Sequence, residues 1–371
     1  MRHRSGLNTN GGIRKMLNSE KVQLKLEEFG LDAMIITSVQ NCRYVTSFDC
    51  KNETVVITPR SVYFLTDARF YEDACANVFG AEIVLCGRGH EMTAKIKEIL
   101  DAHNAKNVGI EETKITYARY LEYERVLGVR LVAAQHILSE LRRKKELYEI
   151  RYIIEAQRIA ERALTDVMGN IHAGITERQV AAELEFAMRK YGGSGNAFMT
   201  VAFSGRKTSM PHGAPGDKVL QNGDFLIMDF GCVVNGYSSD MTRTFAIGSA
   251  TDEMRRVYDT VLASQEAGIA VARAGVTGAE IHNAGAKVIA DAGYGEYFND
   301  IFGHGVGLEM FEAPNASPDD HMPMPVNTVI TAEPGIYIPG KFGVRIEDMI
   351  CITPGGCDNL TEFTKELIIL D

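Results

Sequence analysis

Four acids and one histidine stand where a charged or polar side chain needs a special reason to be. Asp229 lies inside the run Phe225-Leu226-Ile227-Met228-Asp229-Phe230-Gly231. Asp240 follows in Gly236-Tyr237-Ser238-Ser239-Asp240-Met241-Thr242. Glu333 ends Val329-Ile330-Thr331-Ala332, and Glu347 sits in Val344-Arg345-Ile346-Glu347-Asp348. His304 is wedged into Gly303-His304-Gly305-Val306-Gly307, where glycines let other backbone come close. A carboxylate in an apolar run is expected to be buried, and a buried charge has to be paired or to bind a metal.

Taken singly, each of these residues reads as a buried acid or core histidine with an ordinary hydrogen-bond partner. As a set they ask for more. Four carboxylates and a neutral imidazole carry four negative charges, and two divalent cations carry four positive ones. The group is balanced with two metals and repels itself without them. Oxygen-rich ligation with a single imidazole suits Mn²⁺, Co²⁺, Fe²⁺ or Zn²⁺ better than a thiolate site would. Two such ions about 3.5–4 Å apart can share and deprotonate a water, then stabilise the oxyanion formed when it attacks a carbonyl. The chemistry suggested is hydrolysis.

The elements that must hold these groups fall into two domains, expected at 16–139 and 140–371. In the first, apolar Val22, Leu24, Leu26 and Phe29 alternate with charge over 18–29, which predicts a helix with Ser19 as its cap and Gly30 as its end. Residues 33–37 form a short buried-strand run, and 53–58 and 61–66 flank the turn residues Pro59-Arg60 as two strands. Helical stretches at 68–78, 91–103 and 116–127 alternate with strand stretches at 83–85, 108–110 and 129–133, the pattern of an α/β layer domain. The basic segment Leu141-Arg142-Arg143-Lys144-Lys145-Glu146 opens a long amphipathic helix expected to reach 171, with the boundary near 139–145. In the second domain, helices are expected at 176–191, 251–274 and 277–292, and strands at 225–230, 237–247, 328–338, 343–353 and 366–370. Helix pairs with longer strands predict an α+β architecture rather than a doubly wound sheet. No short-period repeat is present.

Bulk properties exclude several functions. The net charge is −10 and no run of Lys or Arg forms a stripe, which argues against nucleic acid as a partner. The seven cysteines are scattered without a C-x-x-C pair, so neither a disulfide framework nor a structural zinc site is expected, and a reducing compartment fits. Arg2, Arg4, Arg14 and Lys15 precede no apolar signal core, and no segment approaches the roughly 20 apolar residues of a membrane span. The expectation is a cytoplasmic protein that engages no membrane, with a polar tail over residues 1–15.

In their order along the chain, these residues resemble the ligand pattern of the peptidase family that includes Xaa-Pro dipeptidase (prolidase), aminopeptidase P, methionyl aminopeptidase and creatinase. The segments that carry the resemblance are Met210-Pro211-His212-Gly213, Asp229-Phe230-Gly231, Tyr237-Ser238-Ser239-Asp240-Met241-Thr242-Arg243-Thr244-Phe245, Gly303-His304-Gly305-Val306-Gly307-Leu308-Glu309, Glu333-Pro334-Gly335-Ile336-Tyr337-Ile338 and Gly343-Val344-Arg345-Ile346-Glu347-Asp348. The likeness is close from Leu141 onward. It is looser over 20–134, through Leu31-Asp32-Ala33, Asn41-Cys42-Arg43-Tyr44-Val45-Thr46 and Leu65-Thr66-Asp67-Ala68-Arg69-Phe70.

The resemblance implies a "pita-bread" second domain, with paired helices on a curved antiparallel sheet and two divalent ions, Mn²⁺ foremost, inside the curve. By the same analogy Asp229 binds one ion, Asp240 and Glu347 bridge both, and His304 and Glu333 complete the other. His212 resembles an active-site histidine that contacts substrate or shuttles a proton, with a surface turn after Pro211 as the bland alternative. Arg345 and Thr242 resemble groups that hold carboxylate ligands by hydrogen bonds; for Arg345 the plain alternative is an ion pair with Asp348 or Glu347. The implied activity is hydrolysis of Xaa-Pro bonds in small peptides with proline second, by a dipeptidase or an aminopeptidase, in a homodimer. The N-terminal domain favours that branch over methionyl aminopeptidase, and the retained ligands speak against a creatinase-like enzyme.

One position departs from the pattern. The family motif after the metal histidine reads Leu-Glu-x-His-Glu, whereas this chain reads Leu308-Glu309-Met310-Phe311-Glu312. Phe311 can neither donate a hydrogen bond nor carry a proton. It implies a weakened enzyme, an altered substrate, substitution by the loop residue His321, or a non-catalytic binding module.

Overall fold

Short runs that are apolar on both faces build the first half of the chain. Ala33–Ile36 and Thr54–Ile57 are buried at every position, as strands covered on both sides must be. The computed structural model describes residues 16–210, 213–298 and 301–371; the expected polar tail and His212 lie outside the described residues. The chain divides into two units between Leu138 and Ser139.

The first unit holds a six-stranded mixed sheet. Its spatial order is Glu82–Leu85, Val62–Thr66, Thr54–Ile57, Ala33–Ile36, Asn107–Ile110 and Arg130–Ala133. Helices Asn18–Glu28, His90–Ala102 and Tyr117–Leu127 lie where the periodicity puts them. Ser19 does not cap the first helix: it is buried inside the first turn, and the N–H of Leu17 donates to the Glu20 carboxylate instead, at 2.8 Å. Helix Val39–Thr46 was not expected, because its eight residues are too few to establish an amphipathic period.

The second unit is α+β, with sheets that are antiparallel save for one pair of strands. One sheet runs Ile369–Leu370, Met241–Ile247, Phe225–Phe230, Val201–Ser204; its first pair is parallel. A second runs Glu312–Ala316, Gly303–Gly305, Val329–Ala332, Asp348–Ile352, Cys357–Asn359 and is antiparallel throughout; two smaller antiparallel sheets are Tyr237–Ser238, Cys232–Val234, Gly195–Asn196 and Gly335–Ile338, Phe342–Arg345. Two helix pairs flank them, Leu147–Val167 with Glu177–Lys190 and Asp252–Val271 with Gly278–Asp291, and their apolar faces join the cores beneath the strands. Thr176, Thr251 and Thr277 each accept a backbone N–H as N-caps. Such caps are worth about 0.5–2 kcal/mol apiece.

Where the structure departs from the sequence reading, it does so mostly by breaking long elements. The helix expected over 141–171 is two helices, Gln135–Arg143 and Leu147–Val167. Between them the N–H of Lys145 is taken by Asn327 O at 2.9 Å, and the N–H of Glu146 by the Glu149 carboxylate at 2.7 Å. The strand expected over 237–247 is Tyr237–Ser238 and Met241–Ile247. That over 328–338 is Val329–Ala332 and Gly335–Ile338, and that over 343–353 is Phe342–Arg345 and Asp348–Ile352. Apolar residues flank each two-residue gap, but the chain crosses from one sheet to another there. Asp240, Glu333 and Glu347 all sit in those gaps. Of the strand expected over 366–370 only Ile369–Leu370 forms.

One crossing depends on glycine. A Cβ at Gly231 would lie 1.8 Å from Ser239 O, so only glycine lets the Asp229 strand pass that close to the segment carrying Asp240. Gly231→Ala is expected to lower the unfolding free energy by about 1–3 kcal/mol through overpacking, read as a shifted midpoint in urea with an unchanged slope.

Candidate metal centre

Strand alternation aims Asp229 away from the helix-packed core. Leu226, Met228 and Phe230 enter the core under the helices, so Asp229 points to the opposite face, directly across from Thr242 in the paired strand. Asp240 and Glu347 are almost wholly buried, and the N–H of Glu347 is tied to Thr242 O at 3.1 Å. His304 rides on Gly303–Gly305, where a Cβ at Gly303 would lie 2.0 Å from Thr331 O. The missing side chain lets this strand press against its neighbour, and Thr331 Oγ accepts the N–H of His304 at 3.0 Å while donating to Glu333 Oε1 at 2.8 Å.

The imidazole has a defined orientation. Its Nδ1 lies 3.1 Å from Gly305 O, which assigns the proton to Nδ1 and leaves a lone pair on Nε2. Nε2 is 3.1 Å from Glu333 Oε1 and 3.5 Å from Asp240 Oδ2. One ligand atom each from Asp240, His304 and Glu347 falls within 4.8 Å of the others. A lone pair facing carboxylates is stable only with a cation or a proton among them.

The remaining polar atoms point to the same need. Asp229 Oδ1, both oxygens of Asp240 and Glu347 Oε1 are buried with no hydrogen-bond partner among the described residues. Native structures rarely leave such atoms unsatisfied. These orphaned oxygens, together with His304 Nε2, form an oxygen-rich, imidazole-bearing donor set of the kind that fits a divalent cation. Of the five residues expected from the sequence, Asp240, His304 and Glu347 come together, Glu333 lies 3.1 Å from His304 Nε2, and Asp229 is linked to Glu347 through Arg345 and Thr242.

Its electrostatics are self-opposed. Burial, then Glu347 and Asp229, push the Asp240 carboxyl well above its usual range, and burial with Glu333 and Asp229 does the same to Glu347. Burial also raises Asp229, although Arg345 counteracts it. Burial works against Glu333 too, but a positive charge shared with His304, together with Arg345 and Thr331, outweighs it and holds that carboxyl below its ordinary value.

Arg345 is a cation built into the cluster. It forms an ion pair with Asp229 Oδ2, and donates from Nη1 to Tyr337 Oη at 2.8 Å and from Nε to Thr242 Oγ at 2.9 Å. Thr242 Oγ in turn donates to Glu347 Oε2 at 2.6 Å. The alternative ion pairing with Asp348 is thereby corrected: Asp348 pairs with Arg243 at 2.7 Å. Arg243 and Tyr337 escaped the sequence reading. Arg243 also donates to the carbonyls of Thr242 and Glu347, stitching together the segments behind the site. Its signal was a lone charge in a strand buried at all seven positions. The Phe311 ring packs on the His304 ring at 4.1 Å between centroids, tilted by 49°. His321 stands exposed on a loop.

Comparison with known proteins agrees with this geometry. The model of metallopeptidase family M24 matches residues 151–354, and that of the creatinase/prolidase N-terminal domain matches 19–144. An uncharacterized peptidase of Bacillus subtilis, YqhT, is 38% identical over 95% of this chain and 99% of its own. Among solved structures, an Xaa-Pro dipeptidase from Bacillus anthracis superposes with a TM-score of 0.92 at 34% identity, covering 95% of this chain and 99% of that one. An X-Pro aminopeptidase from Thermotoga maritima does so with 0.88 at 33% identity, covering 96% and 100%. The chain belongs to metallopeptidase family M24 and is a peptidase. Membership in a metallopeptidase family carries divalent-metal binding with it. No helix among the described residues is long and apolar enough to cross a membrane.

The raised carboxyl groups make a prediction for metal-free protein. A carboxyl raised on folding contributes stability below its unfolded pKa of about 4 and loses it as pH rises through the folded value. Glu347→Gln removes one such group, so the metal-free variant should melt increasingly above the wild type as pH rises from about 4 to 8. Saturating divalent metal should reverse the order, because the wild type then gains by mass action what the variant cannot. Parallel melting curves at all pH values would contradict the reading of Glu347 as a self-repelling ligand.

Proposed function

We propose that the protein is an exopeptidase that hydrolyses Xaa-Pro bonds in small peptides, with two divalent ions, Mn²⁺ foremost, held by Asp229, Asp240, His304, Glu333 and Glu347. The carrying observation is the convergence of orphaned oxygens of Asp240 and Glu347 with His304 Nε2, beside the orphaned Oδ1 of Asp229. Four carboxylates balance two such ions in charge, which supports the count. The names of the solved relatives, an Xaa-Pro dipeptidase and an X-Pro aminopeptidase, support the substrate class.

When bound, the ions supply Lewis acidity toward the scissile carbonyl and a water made nucleophilic near neutral pH. The chain's own residues supply position and proton traffic. Glu333 is held through Oε1 by Thr331 and faces His304. Its carboxylate accepts the proton released by the attacking water and returns it to the leaving proline nitrogen, as a general base and then acid. Arg345 fixes Asp229 and, through Thr242, Glu347, so it is a positioning residue. His212 is assigned the contact with substrate near the scissile bond. The assembly is a homodimer and its location the cytoplasm, the latter supported by scattered, free cysteines among the described residues.

Protein loaded with Mn²⁺ or Co²⁺ should cleave Ala-Pro, Gly-Pro or a longer Xaa-Pro peptide and should hold about two ions per chain. Fewer than one ion per chain after supplementation would end the dinuclear reading; failure to cleave any of these peptides with metal present would end the substrate assignment. Arg345→Met should lower kcat by about 10–100-fold, in keeping with other residues that orient ligands, and should weaken metal retention in dialysis. An unchanged kcat and metal content would remove its positioning role.

A further inference from the structure

The surroundings of Phe311 bear on which peptides are taken. Both nitrogens of the His304 ring are already committed, Nδ1 to Gly305 O and Nε2 toward Glu333 and Asp240. Phe311 covers this ring at 4.1 Å, yet it remains 64% exposed. One part of the phenyl group thus packs on a metal-site residue while the rest faces outward. A large apolar side chain left that open at a reactive centre has apolar surface to bury against something else.

The ring is not a drifting surface residue. Its neighbour Glu312 is clamped by Arg142 and Lys145, with Lys145 Nζ at 2.7 Å and all three side chains nearly inaccessible. The 306–312 loop winds around that carboxylate. The N–H of Glu309 donates to Glu312 Oε2 at 3.3 Å, and a Cβ at Gly307 would lie 2.5 Å from Oε1. Gly307 O accepts the N–H of Ser238 at 2.8 Å, two residues before Asp240. Position 311 is therefore fixed relative to the ligand cluster on both sides, which makes its ring a wall rather than a tether.

We infer that Phe311 is a specificity-determining contact, an apolar wall that takes a large apolar side chain of the peptide residue adjoining the scissile bond. The inference rests on the peptide-hydrolase reading above. A phenyl wall offers no hydrogen bond to distinguish small polar residues, but it rewards each added methylene that it shields from water. Discrimination of that kind is worth about 10-fold or more per well-packed group. The buried Glu312 clamp holds the wall, and Phe311 does no proton transfer.

The test uses the full-length, metal-loaded protein and two peptide series: Gly-Pro, Ala-Pro, Leu-Pro and Phe-Pro, and Leu-Pro against Leu-Ala. In the wild type, kcat/KM should climb with apolar size in at least one series. Phe311→Ala should reduce that selectivity ratio about ten-fold, mainly through KM, whereas Phe311→Leu should keep most of it. Metal content is measured on each variant. Equal losses for every peptide, or a loss that follows metal content, would make Phe311 a structural cover for His304 and overturn the inference. So would selectivity that survives in Phe311→Ala. A wild type that cleaves no Xaa-Pro peptide would remove the functional reading and this inference with it, whereas cleavage with unaltered selectivity in the variants removes the inference alone.

Discussion

Mutual repulsion among buried carboxylates is the constraint around which the second unit is arranged. Asp240 and Glu347 are each about 1% exposed, and each raises the other's cost of ionisation. A fold does not gather such groups for stability, since replacing them with apolar side chains would remove the penalty. The surrounding architecture explains how they are tolerated. Arg345 neutralises one acid, Thr242 and Thr331 donate to two others, and the remaining oxygens are left for cations.

The strand breaks are the structural means of bringing them together. A continuous strand sends successive side chains to opposite faces, so no single strand can deliver acids and histidine to one point. Here the segments carrying Asp229, Asp240, Glu333 and Glu347 change sheet at or beside the acid, whereas His304 stays within one sheet at a shift of register. The crossing after Asp229 demands close backbone contact, which is why Gly231 has no room for a Cβ, and the strand of His304 presses as closely on its neighbour at Gly303. Behind the crossings Arg243 is fully buried and bonds to Thr242 O, Glu347 O and Asp348. That network holds two ligand segments from the side opposite the reactive face.

Phe311 adds a different kind of constraint. It packs on His304 while remaining 64% exposed, and the side chains of the neighbouring Arg142–Glu312–Lys145 cluster are nearly inaccessible. Two layers of buried ionic contacts serve two ends: one orients the ligands, the other orients the wall.

Much of this was written in the sequence because burial leaves a local trace. An acid amid Phe, Leu, Ile and Met, as at Asp229, announces itself without any structure, and the helices expected from 176, 251 and 277 begin within one residue of those positions. The helix Val39–Thr46 was too short to show a period, and His212 lies outside the described residues. What tertiary structure alone decided is where long apolar runs break. Residues 237–247, 328–338 and 343–353 look continuous because hydrophobicity reports burial and not which sheet a residue joins. Likewise, the choice of Asp229 rather than Asp348 as the partner of Arg345, and the stacking of Phe311 on His304, depend on contacts between segments distant in sequence. Local composition carries the identity of the reactive groups; only the folded chain sets their distances.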